Sequence, residues 1–121
     1  MRDFKKLLVW QRGMEIAEEI NKASYDFPSE EKYGLRTEVI RKAMSISSSI
    51  AEGSVKWNEK EHKQYIEIAL GSSFELETQI LVVQRLGWLK EEAIQKLLVM
   101  IIEEQRMLAS LWMRLKLESH G

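Results

Sequence analysis

Apolar residues in this chain recur at spacings of three and four along four long segments, and little interrupts them. Val9, Gly13, Ile16, Ile20 and Ala23 line one such face, and Leu35, Val39, Ala43, Ile46 and Ile50 line the second. Ile66, Ala69, Ser73, Leu76, Ile80 and Val83 make the third; Ile94, Leu98, Ile101, Gln105, Leu108, Trp112 and Leu115 make the fourth. That period is the α-helical one, and no segment alternates in the two-residue rhythm of a strand. With one proline and six glycines in 121 residues, the breakers are few and mostly fall between the faces.

The spacing predicts helices over about residues 4–24, 29–53, 58–86 and 90–117. Pro28 biases Phe27 out of the helical region, and Ser29 is placed to cap the second helix with Glu30 and Glu31 in its positive first turn. Gly53 stands where a left-handed residue would close that helix. Asn58, followed three residues later by Glu61, is a capping-box pattern for the third helix, and Gly87 ends it. Short loops make successive helices alternate in direction. The expected fold is therefore all-α: one domain over residues 1–121, an antiparallel up-down-up-down four-helix bundle.

The fourth helix carries more apolar surface than one bundle face needs. Beside its main stripe lie Ala93, Leu97, Met100, Met107 and Leu111, with Val99 and Ile102 outside both. A bundle helix requires an apolar face of roughly 100°, and large apolar patches are rare on monomers. A subunit interface is expected at Leu97, Val99, Met100, Ile102, Met107 and Leu111.

Composition excludes several classes. There is no cysteine, which removes disulfides, thiol catalysis and cysteine-ligated metals. The longest apolar run, LLVMII at 97–102, is far too short to span a membrane, and the N-terminus reaches Arg12 and Glu15 too soon for a signal peptide. A cytoplasmic protein that does not enter membranes is expected. Lys and Arg number 18 against 19 Asp and Glu, a balance less basic than general nucleic-acid binders show; a local basic patch can still act within a neutral protein.

No catalytic constellation emerges. Glu59 and His62 form an E-x-x-H pair, but a dinuclear metal site in a bundle needs that motif on two helices, and the only other histidine is His120. Serines are abundant, yet a nucleophile needs a base within reach. Glu52 with Glu75 or Glu77 could form an acid–base pair, although pairing with Arg41 or a lysine suits such residues better. Gly71 stands alone in ALGSSF and reads as a close helix contact, not a phosphate loop. No enzyme, metal or cofactor is expected.

Arg36, Arg41 and Lys42 on the second helix, with Lys56, Lys60 and Lys63 around the turn into the third, are the candidate nucleic-acid contacts. A solvated face is the usual fate of such charges. Trp57 beside Lys56 adds an aromatic that could stack on a base or staple the turn. Repetition of a weak patch in an oligomer would multiply it by avidity.

The stretch SISSSIAEGS at 45–54 sets four serines in a helix interior, at a cost of roughly 2 kcal/mol in propensity. Two readings stand. Small side chains at 45, 48 and 49 would let a neighbouring helix carrying Ala69, Ser72 and Ser73 approach closely, with hydroxyls bonded one turn back and the helix bent. Alternatively, the serines line a polar site near the helix end.

The ordered segments FKKLLVWQRGMEIA, FPSEEKYGL, SISSSIAEG and IALGSSFELETQI followed by RLGWL resemble the four-helix-bundle family also called the 23S rRNA intervening-sequence protein, or S23, family. The match covers about residues 4–89, and the fourth helix matches in character only. The resemblance implies a bacterial protein and a bundle assembled as a ring-like homopentamer. It also implies an association with RNA or the ribosome, because some members are encoded within insertions in the large ribosomal RNA gene. Where the family commonly reads S-I-P-x-N-I-A-E-G, Ser47 and Ser49 replace the proline and asparagine; where it commonly reads arginine-arginine-alanine, Ile40, Arg41 and Lys42 stand. The expectation is a non-enzymatic homo-oligomeric module that binds RNA or DNA within a ribonucleoprotein setting. The alternative is a protein–protein scaffold for a partner encoded nearby.

Overall fold

The computed structural model describes residues 2–120, and the side chains of residues 2–118. Four helices account for most of the chain: α1 (Leu8–Ser24), α2 (Leu35–Ser54), α3 (Glu59–Leu86) and α4 (Glu91–His120). No strand occurs among the described residues. Each helix packs on the next, and α4 returns to α1, so the four faces close around one core. Val39, Ala43, Ile46 and Ile50 of α2 meet Ile66, Ala69, Leu76 and Ile80 of α3 there, all of them buried.

The side-chain bridges order the helices along one another. Arg36 reaches Ser24 and Ser47 reaches the Trp10 carbonyl between α1 and α2. Lys42 meets Glu75, and Tyr65 meets Glu52, between α2 and α3. Gln84 with Glu91, Gln105 with Glu77 and Trp112 with Glu67 join α3 to α4, while Lys96 with Glu19 joins α4 to α1.

Two helix starts differ from expectation. The first helix is split: Asp3 caps a 3-10 turn at Phe4–Lys6, Leu7 is extended, and α1 begins at Leu8. The turn folds back so that the Phe4 ring meets Trp10 edge-on at 5.3 Å. At the second, Ser29–Glu31 form another isolated 3-10 turn with no side-chain cap, and α2 starts only at Leu35 after Gly34. Tertiary contact explains this shift. Phe27 is buried against Trp88, 5.5 Å away, which ties this loop to the α3–α4 turn and sets where the chain can re-enter a helix.

The remaining turn signals divide. Asn58 Oδ1 accepts from the Glu61 amide at 2.7 Å, and Gly87 closes α3 in the left-handed region at φ 72°. Gly53, by contrast, lies within α2, and Val55 follows the helix in ordinary αR geometry. Its lack of a side chain serves a helix crossing, since a Cβ there would stand 2.6 Å from the Tyr65 Cβ. Gly71 faces open space and is not the close contact expected of it.

The serine-rich stretch sits inside an uninterrupted α2. Ser45 and Ser54 donate to the carbonyls of Lys42 and Ala51 within their own turns. Ser49 is buried, and so are Ser72 and Ser73 on α3, but Ser48 is exposed and takes no part in close approach. Ser47 turns instead toward α1.

The stripe that α4 buries is Ile94, Leu97, Ile101, Glu104, Leu108, Leu111 and Leu115. Leu97 and Leu111, expected at a subunit interface, are core residues of the bundle itself. The reason is geometric: α4 packs against both α1 and α3, so more than one narrow stripe is covered. Met100 and Met107 are half-buried beside α1, Ile102 is half-buried, and Val99 remains 54% exposed. No helix among the described residues is long and apolar enough to cross a membrane.

Candidate nucleic-acid interface

The α2–α3 turn is built by two local devices. Asn58 starts α3, and the Arg2 guanidinium closes the end of α2 by donating to the Ser54 and Lys56 carbonyls while pairing with Glu59. Helix C-termini leave carbonyls unsatisfied, and a cation there satisfies them with favourable electrostatics. Arg2 thereby anchors the N-terminal arm on the turn.

Around that turn the structure gathers cations and aromatic rings. Trp57 projects from it, 85% exposed. Lys56 lies over the Tyr65 ring at 5.1 Å, and Lys60 is exposed with no ion pair or hydrogen bond among the described residues. Lys63 and Lys116 both lie over the Trp112 ring, at 5.4 and 5.3 Å, while the indole N–H of Trp112 donates to Glu67 at 2.7 Å. Cations held over aromatic faces keep their charge at the surface.

Of the six basic residues singled out from the sequence, Lys56, Lys60 and Lys63 lie on the turn and in the first turns of α3, Lys56 over Tyr65 and Lys63 over Trp112, and the other three lie elsewhere. Arg36 stacks on Tyr25 at 4.2 Å and donates to Ser24 Oγ at the opposite end of α2. Twenty helical residues, about 30 Å, separate that end from the turn. Arg41 pairs with Glu38 on its own helix, and Lys42 is committed to Glu75 at 2.7 Å. Arg2, Tyr65, Trp112 and Lys116 join the cluster without having been singled out as contacts. Tyr65 lies two turns into α3, whereas Arg2 is carried to the turn by the N-terminal arm and Trp112 and Lys116 reach Lys63 through the return of α4.

The acidic candidates separate as well. Glu52 lies level with Tyr65 and Glu75 level with Lys42, so Glu52 and Glu75 stand about 15 Å apart along the bundle. Glu77 accepts from Gln105 at 2.7 Å. Glu59 and His62 are neighbours, with Nδ1 4.0 Å from the carboxylate, but no group of three or more potential metal ligands occurs among the described residues. His62 is buried with neither ring nitrogen hydrogen-bonded; burial lowers its pKa, Arg2 adds to the effect, and Glu59 opposes it. The His120 side chain lies outside those described.

A second ionisable group, unanticipated from the sequence, lies inside the bundle. Glu104 is fully buried with both carboxylate oxygens unpartnered. A side chain at Gly13 would come 3.2 Å from one of those oxygens and 2.4 Å from Ser47 Oγ, so the missing Cβ leaves space between these two groups. Burial raises the Glu104 pKa to about 8, with Arg12 opposing the shift and Glu15 reinforcing it.

Four helices around one core define a four-helix-bundle protein, with Trp57 exposed next to Lys56 at its α2–α3 turn. The chain belongs to the 23S rRNA-intervening sequence protein family, whose model matches residues 5–110 and so extends into α4. A solved structure from Bacteroides thetaiotaomicron, a protein with unknown function from the S23 ribosomal protein family, has a similar fold. It is 18% identical with a TM-score of 0.81, over 87% of this chain and 98% of that chain. Among curated proteins none matches this chain.

Proposed function

We propose that this chain is a non-enzymatic, cytoplasmic nucleic-acid-binding module of a ribonucleoprotein assembly, formed by antiparallel up-down-up-down bundles joined in a ring-like homopentamer. The observation that carries the reading is Trp57, 85% exposed next to Lys56, with Lys60 and Lys63 following in the first turns of α3. A flat aromatic offered to solvent among unpaired or ring-supported cations suits a base stacked on indole with its phosphates on lysines. One such patch is weak. Five copies on one ring would bind a single strand far more tightly than any one of them.

Fluorescence anisotropy with a labelled single-stranded RNA, across a salt series, tests this. Affinity is expected to fall steeply with salt. Replacing Lys56, Lys60 and Lys63 together by glutamine should flatten the logarithmic salt slope by about 2 per patch engaged. Trp57→Ala should weaken binding by about 1–3 kcal/mol with little change in slope. Binding that ignores salt, or that survives all four substitutions, would remove the proposal.

The alternative, a protein–protein scaffold for a partner encoded nearby, draws on a different surface. Phe74, Leu81 and Val82 on α3 and Val99 on α4 are exposed apolar side chains. A partner retained after nuclease treatment, and lost in Phe74→Lys, would favour it.

A further inference from the structure

Between the start of α1 and the second half of α4 runs an open groove of about 350 Å³. Val9 and Leu111, both buried, form its floor, and Leu7, Leu8 and Met107 its sides, with Leu8 52% exposed. Arg106, Ser110 and Arg114 follow one another at one-turn intervals along its α4 edge, over about 12 Å. No carboxylate lines it. Neither arginine makes an ion pair or a hydrogen bond among the described residues, although most arginines in this chain have a partner. The groove belongs to neither the turn cluster nor the buried Glu104.

We infer that this groove is a binding site for a small anionic amphiphile: an apolar chain lies against Leu7, Leu8, Val9, Met107 and Leu111 while its carboxylate is held by Arg106, Arg114 and the Ser110 hydroxyl. The apolar floor favours a hydrocarbon chain over a sugar–phosphate strand, which has no apolar length to bury. The row of two guanidiniums and a hydroxyl favours an anion over a neutral or cationic chain, and guanidinium forks match carboxylate geometry. Size argues the same way. The volume falls in the range of small-ligand sites, whereas eight lining residues are far fewer than the 20–30 a side of a stable protein interface.

Decanoate, decyltrimethylammonium and a uridine homopolymer are the probes, added to the 121-residue chain below the micellar range and followed by calorimetry and amide NMR shifts. Decanoate should bind saturably, once per chain, moving the amides of Leu8, Val9, Ser110 and Leu111. Decyltrimethylammonium, with the same chain and opposite charge, should bind at least about tenfold more weakly. Arg106→Gln with Arg114→Gln, at exposed positions, should leave the circular dichroism unchanged and weaken decanoate by about tenfold or more. Leu8→Glu should abolish binding while the fold persists. Equal binding of both detergents would overturn the inference, as would decanoate affinity untouched by the arginine substitutions. So would displacement of the groove's amides by the homopolymer alone, which makes it a nucleic-acid track. A change of solution mass in the Leu8→Glu or arginine variants without any decanoate binding would make it a contact between copies, and would equally overturn it.

Discussion

Glu104 sits three residues after Ile101 and four before Leu108, the register of a core residue, and it is fully buried. Its carboxyl ionises near pH 4.5 in an unfolded chain but only near 8 in the bundle, so between those values the folded state holds the extra proton. The Glu104 contribution to stability is therefore full below about pH 4.5 and falls as pH rises toward 8, by an amount on the order of 5 kcal/mol. His62 acts on the other side. Its pKa is lowered from 6.5, so its contribution is present above that value and is lost as pH falls through the lowered one. Glu104→Gln should flatten the alkaline limb of a urea-midpoint series against pH and leave the acid limb in place. An unchanged alkaline limb would show that Glu104 does not titrate as its burial requires. The register was legible in the sequence, but an ionisable side chain in an apolar stripe argues against that stripe. The apolar period places Gln105 and Trp112 inward instead; both are half-buried at the border with α3, where Gln105 holds Glu77 and Trp112 holds Glu67.

At the scale of elements, local chemistry set some boundaries and tertiary contact set others. Asn58 and Gly87 act on backbone groups within one turn of themselves, and both could be read directly. The delayed start of α2 depends on Phe27 finding Trp88, sixty-one positions away, which no local pattern announces. Gly53 and Gly71 make the same point through energetics. Gly53→Ala would drive a Cβ to 2.6 Å from the Tyr65 Cβ, so α2 and α3 must separate, destabilising the bundle by about 1–3 kcal/mol. Gly71→Ala meets open space in a helix interior and should stabilise by about 0.5–1 kcal/mol. Thermal or urea unfolding of the two variants reads opposite signs, and the same sign for both would contradict the packing described. The serines of α2 follow this logic too: Ser45 is satisfied within its own turn, whereas Ser47 is placed by α1 and Ser48 by nothing but solvent.

For the whole molecule, the apolar excess on α4 has two destinations. Leu97 and Leu111 enter the core of the single chain; Val99 does not, nor do Phe74 and Val82 on the neighbouring helix. Phe74→Lys with Val99→Lys should cost the isolated bundle little, because both side chains are largely exposed, yet it should reduce the solution mass toward that of one chain if the proposed ring uses this face. Light scattering at several concentrations measures that, and an unchanged mass would place the ring contact elsewhere. The helical class, the four segments and most core positions were determined by the sequence alone, because a 3.6-residue period and a few capping residues are local properties of the chain. Which basic residues meet at the α2–α3 turn, why Glu104 is buried and which leucines α4 keeps for its own core were decided only by the tertiary structure. Those outcomes depend on which helix lies on each side of a given face, and that neighbour is supplied by residues tens of positions away.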